Sequence, residues 1–329
     1  MNTQTNSTAP QPKRALVLSG GGGRGAFECG VIEKLAEAGW LPKGPDDDTI
    51  DPREIALVGT SIGSMNAALF AMRGASGVIH LWENISTKDM NRFLRLRPWR
   101  SVLDRSAWEQ TLKDYLPEDE LAQVSTPLYI VATNIKTAHP RVYTNSEYYD
   151  HNKTDLYKKV PAITHKHLLA SSSIPYLYPP TEIENTPHWD GAVMYNSPLQ
   201  PAVHSGAQEV MIVLLSPYHD LLEPGKQLPT IPASLIGKVG HLLDLALLAT
   251  FENDFEQMRK VNRRIREDEA GDGRMEVKAA LIGPENWLSM LDIIRYNKDS
   301  NKRLREMGYQ AAARTLERID PGVWDSQLQ

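Results

Sequence analysis

The chain has 329 residues, 41% of them hydrophobic, a length and composition that suit one large α/β domain with elaborations or two smaller domains around a sizeable core. Its formal net charge of −5 supplies no global positive field, which argues against nucleic acid as a partner. The single cysteine, Cys29, excludes an internal disulfide, and its apolar surroundings predict a buried small hydrophobe.

Residues 1–12 are polar and carry prolines, with no apolar run of the signal-peptide kind, and read as a disordered tail. Residues 14–19 (RALVLS) form a short apolar run that ends at glycines and reads as a buried strand. Residues 25–38 place Phe27, Val31, Ile32 and Leu35 on more than one side of a helix, so that helix is buried; Gly39 ends it. Residues 55–60 (IALVGT) read as a second strand and 63–72 as a second helix. Strand, helix, strand, helix predicts an α/β fold whose mostly parallel central sheet is covered by helices on both faces. Later strands are expected at 128–133, 210–216 and 275–282, with helices near Leu168, over 234–266 and over 300–318. Pro217, Pro224, Pro229 and Pro232 mark a linker over 217–233. The expected organisation is therefore a tail (1–12), a core (13–216) and a mainly helical C-terminal extension packed on it (217–329). The longest strongly apolar stretch, 236–251, contains Lys238, His241 and Asp244 and is too short and too polar to span a bilayer. A cytoplasmic protein is expected, with a peripheral membrane contact left open.

Gly59-Thr60-Ser61-Ile62-Gly63 is a G-x-S-x-G between a strand and a helix. A sharp turn there holds the serine in a strained conformation at the strand end, with glycines two before and two after leaving room for close backbone. Two roles fit Ser61 at this point: a nucleophile, or a cap of the following helix. Gly20, Gly21, Gly22, Gly23, Arg24 and Gly25 form a second motif, also between strand and helix. Its exposed N–H groups, with the helix dipole behind them, suit an anion. That anion is either a phosphate or the oxyanion of a tetrahedral intermediate. A dinucleotide site wants an acid at the end of the second strand, where this chain has the serine, and the Gly-Lys-Ser/Thr of a Walker loop is missing. The oxyanion reading is the better supported. His188-Trp189-Asp190-Gly191-Ala192 offers the base that a serine hydroxyl needs, although an Asp-Gly alone is ordinarily just a turn.

The order Gly20–Gly25, then Gly59–Gly63, then Asp190-Gly191-Ala192 resembles the patatin-like phospholipase family. Leu18-Ser19 before the glycines matches as well. So do Ala170-Ser171 with Ile174-Pro175 and Pro179, and Asn196 with Pro198 after Asp190-Gly191. The likeness covers roughly residues 14–203, and Ala192 stands where many members have glycine. The resemblance implies a Ser61–Asp190 dyad without a catalytic histidine. It also implies an oxyanion hole from N–H groups around Gly22, Gly23 and Arg24, and hydrolysis of lipid acyl esters. Gly20, Gly25, Gly59, Gly63 and Gly191 are its supporting motif glycines. No cofactor and no metal are expected, since no H-E-x-x-H or Cys/His cluster is present.

Three rivals remain at this level. A Ser–His–Asp esterase needs a histidine after the acid, for which His204, His219 and His241 are available. An acyltransferase would pass the acyl group to an acceptor other than water. A regulatory lipid-binding protein would carry a silent site. Residues 91–105 hold five arginines against one aspartate with Phe93, Leu94, Leu96 and Trp99 between them. That composition suits an anionic membrane surface, or arginines paired to carboxylates elsewhere on a core-capping turn. Residues 251–269 alternate acids and bases, as exposed helix faces do. Residues 235–248 read as core packing, a dimer contact or a substrate-channel wall.

Overall fold

The structure is a computed structural model, and it describes residues 10–90, 92–93, 103–217, 277–293 and 295–319, together with positions 238 and 256. Most of the expected tail, the linker at 217–233, nearly all of the helix expected over 234–266, and His219 and His241 lie outside the described residues.

The first strand, β1 (Arg14–Leu18), is buried along almost its whole length. Its residues alternate between two cores: Leu16 and Leu18 join one apolar cluster, Ala15 and Val17 the other. Such two-sided burial is why the segment reads as a continuous apolar run. Helix α1 (Gly25–Glu37) follows, and Gly39 at φ 71° ends it by donating its N–H to the Ala36 carbonyl. Cys29, at the middle of α1, is fully buried, as its apolar context implied. Strand β2 (Ile55–Thr60) pairs in parallel with β1 and leads into α2 (Ile62–Asn84), which runs past the expected end at 72. The backbone breaks at Gly74, where φ is 67° and the neighbouring Ala75 N–H turns to the Lys43 carbonyl, and the helix then resumes.

Short helices α3 (Thr87–Met90), α4 (Ser106–Tyr115) and α5 (Glu118–Leu121) flank a two-stranded ladder of β3 (Arg92–Phe93) and β4 (Leu103–Asp104). Residues 91 and 94–102 of the arginine-rich segment lie outside the described residues. Arg105 is paired, with Glu109 at 2.7 Å and the Thr181 hydroxyl at 2.7 Å.

Strand β5 (Leu128–Asn134) has split neighbours on one edge. Its first half lies parallel to β2, from Leu57 opposite Leu128 to Thr60 opposite Val131. Its second half lies antiparallel to β9 (Thr186–Asp190), with Asp190 opposite Ala132. Thr60 and Asp190 thus face consecutive residues of one strand, and β2 and β9 run head to head and stop at the same point. The other edge of β5 carries β6 (His139–Thr144), which pairs β7 (Tyr157–Lys159). Helix α6 (His165–Ser171) and strand β8 (Thr181–Ile183), paired with β9, complete this end. Helix α7 (Leu199–His204) leads to β10 (Glu209–Val213), parallel to β1.

The sheet continues into the C-terminal part. Strand β11 (Lys278–Ile282) pairs β10 in parallel, giving the order β11-β10-β1-β2-β5-β6-β7. The last described helix, α8 (Lys298–Ile319), packs along α1, where Arg305 bridges Glu33 and Glu83 at 2.7 Å each. The fold is the expected α/β arrangement, with a C-terminal helix. The described part of the C-terminal region supplies a sheet strand as well as helix, so the sheet does not end at residue 216.

Candidate active site

The serine motif folds as a tight elbow at the end of β2. Ser61 has φ 55° and ψ −124°, a conformation that costs a non-glycine residue about 1–3 kcal/mol. The surroundings hold it there: the Ser61 N–H donates to Ser171 Oγ at 2.8 Å, and its carbonyl accepts from Ser64 Oγ at 2.6 Å and the Ser64 N–H at 3.0 Å. A Cβ on Gly59 would stand 2.5 Å from Ser64 Cα, and one on Gly63 would stand 2.4 Å from the Leu18 carbonyl oxygen. The two motif glycines are therefore dictated by backbone against backbone. Ser61 makes no side-chain cap bond to α2, so the capping alternative does not describe it.

Its hydroxyl instead donates to Asp190 Oδ2 at 2.6 Å. The head-to-head arrangement of β2 and β9 brings them together across 129 residues of sequence. Asp190 is fixed on every side: its N–H donates to the Ser173 carbonyl, its own carbonyl accepts from Thr133 Oγ1, and Oδ1 accepts from the Ala192 N–H at 2.8 Å. Gly191 is needed for this turn, since a Cβ there would lie 2.4 Å from the Val131 carbonyl oxygen. Burial raises the Asp190 carboxyl to about 7 from its ordinary 3.8, against the opposing pull of the Ser61 and Ala192 hydrogen bonds. A carboxyl with that value is half-ionised near neutral pH, where a general base works best.

No imidazole stands between the two groups. His204 lies on α7 and is held by the Tyr157 hydroxyl at 2.7 Å, and His188 binds the Tyr143 hydroxyl and the Thr186 carbonyl. Burial pushes His204 down to about 4.

The glycine loop is anchored from β10 and from the segment after Asp190. Ser19 Oγ donates to the Val213 carbonyl and shares a 2.7 Å contact with Ser197 Oγ, and the Gly20 N–H donates to Asn196 Oδ1 at 2.7 Å. These contacts give Asn196 a physical role: its side chain holds the start of the loop. Residues Gly22–Arg24 form one 3₁₀ turn, with Gly22 at φ 58°. The Arg24 N–H, expected as a third donor, is engaged with the Gly21 carbonyl at 3.2 Å, while the N–H groups of Gly22 and Gly23 have no hydrogen-bond partner among the described residues. The Arg24 guanidinium is buried and reaches the carbonyls of Ser289 and Leu288. Cβ atoms on Gly22 and Gly23 would collide with the carbonyls of Ile293 and Asp292. These two glycines are thus demanded by the backbone of Asp292, Ile293 and Arg295, which packs directly on the loop.

A cleft opens at the dyad, lined by Gly22, Ser61 and Ile62 and walled by Trp108, Ile174, Leu177 and Ile293 among others. Tyr178 and Tyr296 also border it. Trp108 is fixed by its indole N–H on Ser172 Oγ at 2.9 Å. Sequence reading missed Trp108, Ser171, Tyr178 and Tyr296. Of these only Ser171 lay in a motif, and its contact with Ser61 joins residues 110 apart. It also passed over Glu28, fully buried on α1, which accepts from Asn66 Nδ2 at 2.8 Å and whose carboxyl burial pushes well above its ordinary range.

The patatin-like phospholipase family model matches residues 16–203, more than half of the chain. The chain belongs to the patatin-like phospholipase family. It is similar to patatin-like phospholipase domain-containing protein 7 of Rattus norvegicus, 25% identical over 206 residues, and to patatin-like phospholipase domain-containing protein 6 of Homo sapiens, 29% identical over 205 residues. Each match takes in 60% of this chain but spans only 13% of the relative's own length. Among solved structures, VipD from Legionella pneumophila matches with a TM-score of 0.41 and 12% identity, covering 94% of this chain and 67% of that one, too distant to inform the site. No helix among the described residues is long and apolar enough to cross a membrane.

Proposed function

We propose that this patatin-like protein hydrolyses acyl esters of lipids through a Ser61 acyl-enzyme, with Asp190 as the base. The observation that carries the reading is the 2.6 Å hydrogen bond from Ser61 Oγ to Asp190 Oδ2, made with no group between them. Asp190 takes the hydroxyl proton as Ser61 Oγ attacks the ester carbonyl carbon. The N–H groups of Gly22 and Gly23 receive the developing oxyanion, an interaction worth about 3–4 kcal/mol per donor in comparable sites. The C–O bond to the alcohol then breaks, and the alcohol oxygen takes the proton from Asp190. Water attacks the acyl-enzyme next, with Asp190 again as base, and the fatty acid leaves. The walls of Trp108, Ile174, Leu177 and Ile293 suit an acyl chain and offer nothing to a charged one.

The test is to incubate the purified protein with phospholipids, lysophospholipids, glycerides and short nitrophenyl esters, and to identify the released fatty acids by mass spectrometry. Wild type releases fatty acid and is labelled by a fluorophosphonate; Ser61→Ala does neither. Labelling that persists in Ser61→Ala would place the nucleophile elsewhere.

A further inference from the structure

Tyr296 lies outside the region matched by the family model, yet it stands at the dyad. It comes from the segment between the 3₁₀ turn at Met290–Ile293 and α8, and it borders the cleft together with Ser61 and Gly22. Its placement is fixed from two directions. The main chain is clamped to Thr87: the Tyr296 N–H donates to Thr87 Oγ1 at 2.9 Å, and the Thr87 N–H donates to the Tyr296 carbonyl at 2.8 Å. The ring stacks on Trp82, with centroids 6.1 Å apart and planes 16° apart. Trp82 is itself held by its indole N–H on Asn66 Oδ1 at 2.9 Å.

The hydroxyl at the end of this rigid ring has no hydrogen-bond partner among the described residues, although the residue is 5% exposed. The hydroxyl is not among the fully buried polar atoms that lack a partner, so it keeps access to the open space the residue borders, the cleft, where a bound ester can accept from it. It lies within electrostatic reach of Asp190 and of Tyr178, and burial together with those groups keeps it protonated far above neutral pH. It can therefore donate a hydrogen bond but cannot serve as a base.

Resting on the hydrolase reading above, we infer that the Tyr296 hydroxyl donates a hydrogen bond to the alcohol oxygen of the scissile ester as that oxygen leaves. In that reading the two loop N–H groups serve the carbonyl oxygen. The atom left without a donor is the alcohol oxygen, which must approach Asp190 to collect its proton. As the C–O bond breaks, its electron pair stays on that oxygen. Asp190 transfers the proton taken from Ser61, and Tyr296 keeps its own while stabilising the charge in transit. Tyr296 is thus a catalytic group supplied by the C-terminal segment.

The test is Tyr296→Phe, which keeps the ring and its stack. Compare kcat/KM, which reports acylation, for two esters of one fatty acid: a glyceryl ester, whose alkoxide is a poor leaving group, and a nitrophenyl ester, whose phenolate leaves unaided. The glyceryl ester should lose roughly tenfold or more. The nitrophenyl ester and fluorophosphonate labelling of Ser61 should stay within about twofold of wild type. Equal losses on both esters, or no loss on either, would overturn the inference. A melting temperature near wild type excludes a collapsed stack. Were wild type itself to leave both esters intact, the hydrolase reading would fail, a result distinct from the Tyr296→Phe outcomes.

Discussion

Residues 16–203 and residues 277–319 meet at the same cleft but write themselves into the sequence in different ways. The first region contains every motif, and each motif residue has a backbone reason: Gly59 and Gly63 let chain pass chain, Gly191 turns the strand after Asp190, and Asn196 holds Gly20. The second region has no motif. It contributes an edge strand, a helix along α1, the carbonyls that pack on Gly22 and Gly23, and two wall residues, Ile293 and Tyr296. Reaction geometry demands particular residues at particular angles, whereas a wall demands only bulk and a hydroxyl in the right place. The motif-bearing region thus holds the proposed dyad, while the second region borders the same cleft with Ile293 and Tyr296 and leaves no motif to mark them.

The largest loss is expected at Asp190. Asp190→Asn should lower turnover by about 10²–10⁴, because an amide cannot accept the serine proton. Steady-state rates on a soluble ester check this, and a loss under tenfold would move the base elsewhere. A smaller effect is expected at a support of the loop. Asn196→Ala releases the Gly20 N–H and lets the loop drift, which should cost about 10–100-fold in kcat with little change in KM. An Asn196→Ala enzyme at full rate would show that the Ser19 contacts and the packing at Asp292 and Ile293 hold the loop without Asn196.

The third prediction concerns stability. The folded Asp190 carboxyl is raised to about 7, so the folded state binds its proton more tightly than the unfolded chain does. Below the ordinary 3.8 both states are protonated and the group makes no difference. As pH climbs from there to about 7, the fold increasingly bears the cost of a buried charge, which reaches at most about 4 kcal/mol. Asp190→Asn removes this cost. The variant should therefore melt above wild type at pH 8, and the gap should close as the pH falls toward 4. A gap that widens on acidification would contradict the assignment.

Much of this was legible in the sequence because the signals are contiguous. The strands at 14–18 and 55–60 are mainly apolar since both sheet faces are covered, and the elbow and glycine loop are short motifs, although the atoms that demand their glycines are distant in sequence: Leu18 for Gly63, Ile293 for Gly22 and Asp292 for Gly23. Strand β6 was missed: its sequence HPRVYT has a proline at its second residue, and only Val142, Tyr143 and Thr144 are buried. The expected stop of α2 at 72 marks a real break at Gly74, but the helix beyond it, carrying Trp82, is pinned by contacts with Asn66 and Asn301. Glu28 sits among Phe27 and Cys29 in an otherwise apolar helix turn. Only the distant Asn66 shows that the acid stays inside. Tyr296 had no signal of any kind, because its place depends on Thr87 and Trp82, more than 200 residues earlier.

The most direct test of the central claim, a Ser61–Asp190 dyad without histidine, is to replace each of the nine histidines singly and measure hydrolysis per active site titrated with fluorophosphonate. A direct Ser61–Asp190 dyad requires that every folded variant keep activity far above the Ser61→Ala background, including those at His188 and His204. A well-folded histidine variant as inactive as Ser61→Ala would contradict it, because only an interposed imidazole is that indispensable.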